Sequence, residues 1–151
     1  MTKKALIIGY GNPLRGDDGV GQAAAQALET EAVATGVEVI GCQQLTIEMA
    51  ETLAGMDVAV FIDAAAGHEP GSIAVTKVEE APGMPVGLAH HVEPELLLLI
   101  ARKLFGHAPE AFLVTVGAGS LELSEDLTDA VAAALPKVVA TVRQLTLEHI
   151  C

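Results

Sequence analysis

The sequence has no tryptophan, one tyrosine and three phenylalanines in 151 residues. Aromatics make up 3% of a chain that is 51% hydrophobic, so the core must be aliphatic, built from Ala, Val, Ile and Leu. Basic residues are also few. Eight Lys and Arg face 20 Asp and Glu, for a net charge of −12. Nucleic acid and anionic membranes are poor partners for such a surface, whereas a cation or a basic protein segment is a good one. The only cysteines are Cys42 and Cys151, with no Cys-x-x-Cys pair, which points to free thiols in a reducing compartment, the cytoplasm. The longest unbroken apolar run, residues 96–101, falls far short of the ~18 residues of a membrane span, and no membrane insertion is expected. Met1-Thr-Lys-Lys leads straight into a strand-like run without a small-residue cleavage site, so no signal peptide is expected. His-Glu-x-x-His, Gly-x-Ser-x-Gly and catalytic-cysteine signatures are all missing, which removes those hydrolytic schemes.

What is present is concentrated in the opening stretch. Ala5–Tyr10 is a short apolar run that reads as a buried strand of a parallel sheet. Gly9 and Gly11 allow a tight turn, Asn12-Pro13 is turn chemistry, and Gly16-Asp-Asp-Gly19 precedes a helix starting near Val20. Glycines after a first strand suggest a dinucleotide site, but Leu14 stands where that fingerprint needs glycine or alanine. Asp17 and Asp18 would also repel a pyrophosphate at the helix N-terminus and attract a cation instead. Asp17 reads equally well as a helix cap, and Asp18 less readily so.

Downstream, strands alternate with helices. A helix is expected over 20–34, stopped by Gly36, then a strand over 37–40 and a loop over 41–45. Thr46 is placed to cap a helix over 47–54, and residues 57–63 form a strand closed by Asp63. Residues 72–78 form another strand. Only eight residues separate it from Asp63, too few for a parallel crossover, so it should run antiparallel to its neighbour near a sheet edge. Residues 79–89, with Pro82, Gly83, Pro85 and Gly87, read as a surface loop. A helix over 93–105 with Pro94 in its first turn, a strand over 112–116, and a helical stretch over 127–150, kinked or split at Pro136, complete the chain. The pattern implies one domain over 1–151. Its class is a three-layer α/β/α fold with helices on both faces of a five-stranded, mostly parallel sheet containing one antiparallel strand.

In such sheets ligands bind outside the carboxyl ends of the strands, near a switch in strand order. Asp18 follows the first strand and Asp63 ends the third, so both face one crevice if those strands are neighbours. His90, before the helix over 93–105, could close it, giving two carboxylates and an imidazole suited to Ni, Fe or Zn. Blander readings stand beside this one. A strand-terminal Asp often only makes an Asx-turn, and a loop His is often solvated. His68, His107 and His149 read as surface residues, and Cys42 either lines the crevice or is a buried inert thiol.

The segment Gly9-x-Gly-Asn-Pro-Leu-x-Gly-Asp-Asp-Gly-Val-Gly21 resembles the N-terminal signature of the hydrogenase maturation proteases, which remove a C-terminal extension from the large subunit of nickel–iron hydrogenases. Asp63, the His90 region and the chain length continue the resemblance. It implies that Asp18, Asp63 and His90 bind metal and form the catalytic site. The metal would be nickel already inserted in the precursor large subunit, with Zn or Cd able to substitute. Cleavage would fall just beyond the last metal-binding cysteine region of that partner. A family pattern, His90-x-Val92-x-Pro94-x-x-Leu97, selects His90 over His91. The stretch Cys42-Gln-Gln-Leu-Thr46 is similar to members serving cytosolic, cofactor-linked hydrogenases. The expected protein is thus a monomeric cytoplasmic endopeptidase. A non-enzymatic nickel carrier and, third, a nucleotide-binding module are the alternatives.

Overall fold

The computed structural model describes residues 3–85 and 92–151. Its strands are β1 (Ala5–Tyr10), β2 (Val37–Cys42), β3 (Val58–Ala65), β4 (Ile73–Val78) and β5 (Glu110–Gly117). Its helices are α1 (Val20–Glu31), α2 (Met49–Ala54), α3 (Pro94–Phe105) and α4 (Asp129–Ile150). The strands form one sheet in the order β2-β1-β3-β5-β4, parallel except for the β4–β5 pair.

The unbroken apolar run of β1 follows from its place inside that sheet. Side chains alternate between the two faces of a strand, and both faces here are covered. Leu6 and Ile8 of β1, with Ala59 and Phe61 of β3, pack under α2 and α3. Ala5 and Ile7, with Val58, Val60 and Ile62, pack under α1 and α4. The result is the expected α/β/α arrangement, with an aliphatic core on each side and Phe61 the one fully buried aromatic among the described residues.

Strand β4 is antiparallel and at the edge, as its short connection requires, but it does not form a hairpin with β3. The later strand β5 lies between them, pairing Asp63 with Thr115 on one side and Ala74 with Thr115 on the other. Helix boundaries shift for local reasons. Helix α1 stops at Ala32, which takes a left-handed conformation (φ 51°), rather than at Gly36, whose positive φ serves the turn into β2. Thr46 does not cap α2. Its carbonyl accepts from the Met49 N–H at 3.1 Å in a preceding turn, and the helix begins two residues later than expected. Strand β3 runs on to Ala65, so Asp63 lies inside the strand and is not an Asx-turn residue.

Helix α4 is continuous through Pro136. Ala132 and Pro136 are both exposed, so the carbonyl that the missing N–H leaves unpaired can meet water. By length and composition α4 would pass for a membrane span, with 22 residues and a mean hydropathy of 1.2 in its most apolar window. In the fold it lays Val131, Val138, Val142 and Ile150 on the sheet. Searching for unbroken apolar runs misses it because Lys137 and Arg143 interrupt the pattern.

Candidate functional site

Strand order reverses between β1 and β3, since β1 leads outward to β2 while β3 leads to β5 and β4 on the other side. A crevice is expected outside the carboxyl ends at such a point. Parallel register sets Gly9 opposite Ile62, Tyr10 opposite Cys42, and Asp63 opposite Thr115. Continuing the alternation, Cys42, Tyr10, Asp63 and Thr115 form a row across the sheet on the α2/α3 face.

Asp18 reaches this row from the 3-10 turn Gly16–Gly19, which sits between β1 and α1. One carboxylate oxygen accepts the Asn12 N–H at 2.7 Å, folding the loop back on itself. Gly11 permits that approach. Its φ is +141°, and a Cβ there would lie 1.9 Å from the Asp18 carbonyl oxygen. The charge of Asp18 is felt at Asp63, whose carboxyl is pushed up to about 6. Burial is the main cause, with repulsion from Asp18 and Glu93 adding to it. The Tyr10 hydroxyl and the Ala64 N–H bond to Asp63 and hold the rise in check. Tyr10 is in turn raised above its ordinary value by burial and by Asp63. Exposed Glu93, the N-cap residue of α3, completes an acidic rim. Beside it, a groove of about 630 Å³ runs from Glu93 and Glu95 past Leu96 and Leu113 to Val78 and Pro82.

Asp18 is thus near enough for its charge to act on Asp63. His90 and His91 lie outside the described residues. Among the described residues, no group of three His, Cys, Asp or Glu side chains is close enough to hold a metal. Tyr10 and Glu93 escape the sequence reading. Tyr10 could have been found from parity alone, because it shares the face of Leu6 and Ile8 and stands one step beyond the last register pair with β3.

Asp17 is fully buried and is not a cap of α1, whose N-cap is Gly19 with no side-chain bond. Its carboxylate accepts from the N–H groups of Gly119 (2.6 Å), Ser120 (3.1 Å) and Thr128 (2.7 Å) and from the Thr128 hydroxyl (2.8 Å). Burial acts to raise its pKa, but these bonds outweigh it and hold the carboxyl below its ordinary value.

His68 and His107 are exposed, as expected, but His149 is half-buried, its ring tilted against Phe112 with centroids 4.6 Å apart. Cys42 is half-buried, and burial raises its thiol, so it reads as inert. A thiol reagent at pH 8 should therefore give one fast phase from exposed Cys151 and a second, from Cys42, slower by roughly tenfold or more. Two equal fast phases would show Cys42 to be open and activated.

The fold has counterparts among solved structures. The NiFe hydrogenase maturation protease HycI from Thermococcus kodakarensis matches with a TM-score of 0.77 at 20% identity, covering 95% of this chain and 92% of that one. The hydrogenase maturating endopeptidase HybD from E. coli gives 0.76 at 26% identity, with 96% and 93% covered. A hydrogenase 2 maturation peptidase from a Thaumarchaeota archaeon gives 0.71 at 24% identity, with 95% and 98% covered. No family model and no curated protein matches the sequence. The three counterparts share the whole fold, and the HybD match supports a peptidase role as the functional class.

Proposed function

We propose that this chain is an endopeptidase that removes the C-terminal extension from the precursor of a NiFe hydrogenase large subunit. The observation that carries the reading is the meeting of Asp18 and Asp63 at the strand-order switch, within a fold shared with maturation endopeptidases. Asp18, Asp63 and His90 are its metal contacts and its catalytic site, and the metal is nickel that arrives with the precursor. The donor set suits this role. Two carboxylates that repel each other are relieved by a shared cation, and hard oxygen with imidazole is an acceptable set for Ni, Zn or Cd. When bound, the nickel supplies positive charge that draws the adjoining backbone segment of the precursor to the carboxylates. The chain's own part is to orient. The Tyr10 hydroxyl fixes the Asp63 carboxyl, the Asn12 amide fixes that of Asp18, and the acidic rim at Glu93 admits a basic segment. The two free thiols suit action in the cytoplasm.

The test is mass spectrometry of candidate large subunits expressed with and without this protein. Nickel-loaded precursor should lose a C-terminal peptide, and apo precursor should not. His90→Ala should block the loss while His91→Ala leaves it intact. A precursor that binds the chain yet keeps its full mass would mark the protein as a nickel carrier rather than a protease.

A further inference from the structure

We propose that Asp17 is a positioning residue that holds Asp18 toward Asp63 by lacing the first loop to the segment after β5. The inference rests on the proposed function in taking Asp18 as a working carboxylate, but its geometry is independent of any bound ion. Gly16, Asp17 and Asp18 lie in one 3-10 turn, where successive side chains point about 120° apart. Fixing residue 17 therefore fixes the direction of residue 18.

Asp17 is fixed from several sides. One of its oxygens takes the Thr128 N–H, and the other takes Gly119, Ser120 and the Thr128 hydroxyl, so a carboxylate with no exposure is fully bonded. The backbone repeats the lacing. The Gly16 N–H donates to the Ser124 carbonyl at 2.9 Å, the Asp17 N–H to Ser120 at 3.0 Å, and the Ser124 N–H back to Leu14 at 2.9 Å. The receptor fits closely, since a Cβ at Gly16 would lie 2.8 Å from the Ser120 carbonyl oxygen and one at Gly119 3.3 Å from the Asp17 carboxylate. Rotation of the turn would leave a charge buried without partners, which is strongly disfavoured.

A force exists for this lacing to resist. Asp18 and Asp63 repel each other, and an untied loop would relax by swinging Asp18 into solvent. Asp17 is aimed the other way, into the Gly119–Thr128 cradle, so it opposes that motion without touching anything bound in the crevice.

The experiment compares the parent chain with Asp17→Asn, Thr128→Val and Val142→Ala. The last removes core volume from α4 away from the loop and serves as a control for lost stability. Amide hydrogen exchange at Asn12, whose N–H is bonded to Asp18, reports where that carboxylate sits. At a temperature where all variants are folded, Asp17→Asn should speed Asn12 exchange about tenfold beyond Val142→Ala, the equivalent of one net hydrogen bond. Thr128→Val should fall between them, and it decides the matter alone if Asp17→Asn does not fold. Titration with Cd²⁺ should show the same order of weakening. Asn12 exchange no faster in Asp17→Asn or Thr128→Val than in Val142→Ala overturns the proposal. A parent chain that binds no Cd²⁺ would instead remove the cation reading of the crevice, and Asn12 exchange would still decide the role of Asp17.

Discussion

At pH 8 the Asp63→Asn variant should melt higher than the parent chain, by roughly 3–6 °C, while binding Cd²⁺ or Ni²⁺ at least about 100-fold more weakly. The stability gain follows from the sign of the shift at Asp63. Its carboxyl is raised from 3.8 to about 6 in the folded state, so the fold favours the protonated form. That contribution is full below the unfolded value near 3.8 and is lost as pH rises through about 6. Above this, the ionised carboxylate sits beside Asp18 in a partly dry site. Asparagine avoids the charge and can still accept from Tyr10. The full shift corresponds to a ceiling near 3 kcal/mol, and partial solvation of the crevice lowers the realised gain to about half. Melting curves from pH 4 to 8 test this, because the advantage of asparagine should shrink toward zero at the acid end. A difference that is flat in pH, or a variant less stable at pH 8, would refute it. A residue that weakens its own fold at neutral pH is expected where the charge is needed for binding.

A larger loss is expected for Gly9→Ala. A Cβ at Gly9 would lie 1.9 Å from the Gly21 carbonyl oxygen and 2.6 Å from its carbon. The reciprocal substitution meets the same wall, since a Cβ at Gly21 would lie 2.6 Å from the carbonyl oxygens of both Ile62 and Tyr10. These contacts are backbone against backbone, so no rotamer change can relieve them, and β1 and α1 would have to separate. The expected cost exceeds about 4 kcal/mol, enough that the variant accumulates poorly or unfolds at low urea. Gly41→Ala is the matched control. Its Cβ would touch the Ala25 methyl at 3.6 Å, an ordinary contact, and its stability should stay within about 0.5–1 kcal/mol of the parent. Urea midpoints measure both, and a Gly9→Ala variant as stable as Gly41→Ala would mean that the strand–helix contact is looser than described.

These close approaches explain why the opening glycines imitate a nucleotide fingerprint. Gly9 and Gly21 are small because a strand and a helix touch there, and Gly11 because the Asp18 backbone crosses it. Sequence spacing shows that glycine is required but not what presses on it. Alternation and apolar runs made the layers and the parallel strands legible, since those follow from burial periodicity, and the short connection after Asp63 made the antiparallel edge position of β4 legible. The identity of β4's partner was not legible, because pairing with β5 spans a separation that no local pattern encodes. Asp63 was visible as a polar residue ending an apolar run, and Asp18 as an acid where a phosphate would otherwise sit. The task of Asp17 was hidden, since its partners Gly119, Ser120 and Thr128 lie more than a hundred residues downstream. The effect of Glu93 on Asp63 was hidden too, since the two lie 30 residues apart on different elements.

The insertion of β5 between β3 and β4 also sets a timetable for synthesis. A ribosome working at about 5–20 residues per second releases β1 to β4 seconds before β5 emerges. Until then β3 has one bare edge, carried by the sequence Val-Ala-Val-Phe-Ile, and β4 has no partner at all. An unpaired apolar edge of that kind invites pairing with other chains. The first bond to Asp17 can form only when Gly119 is out, 102 residues after Asp17 itself, and the set is complete only with Thr128, 111 residues after it. The nascent protein therefore carries Asp18 unlaced for most of its translation, and the first loop takes its final form among the last events of folding.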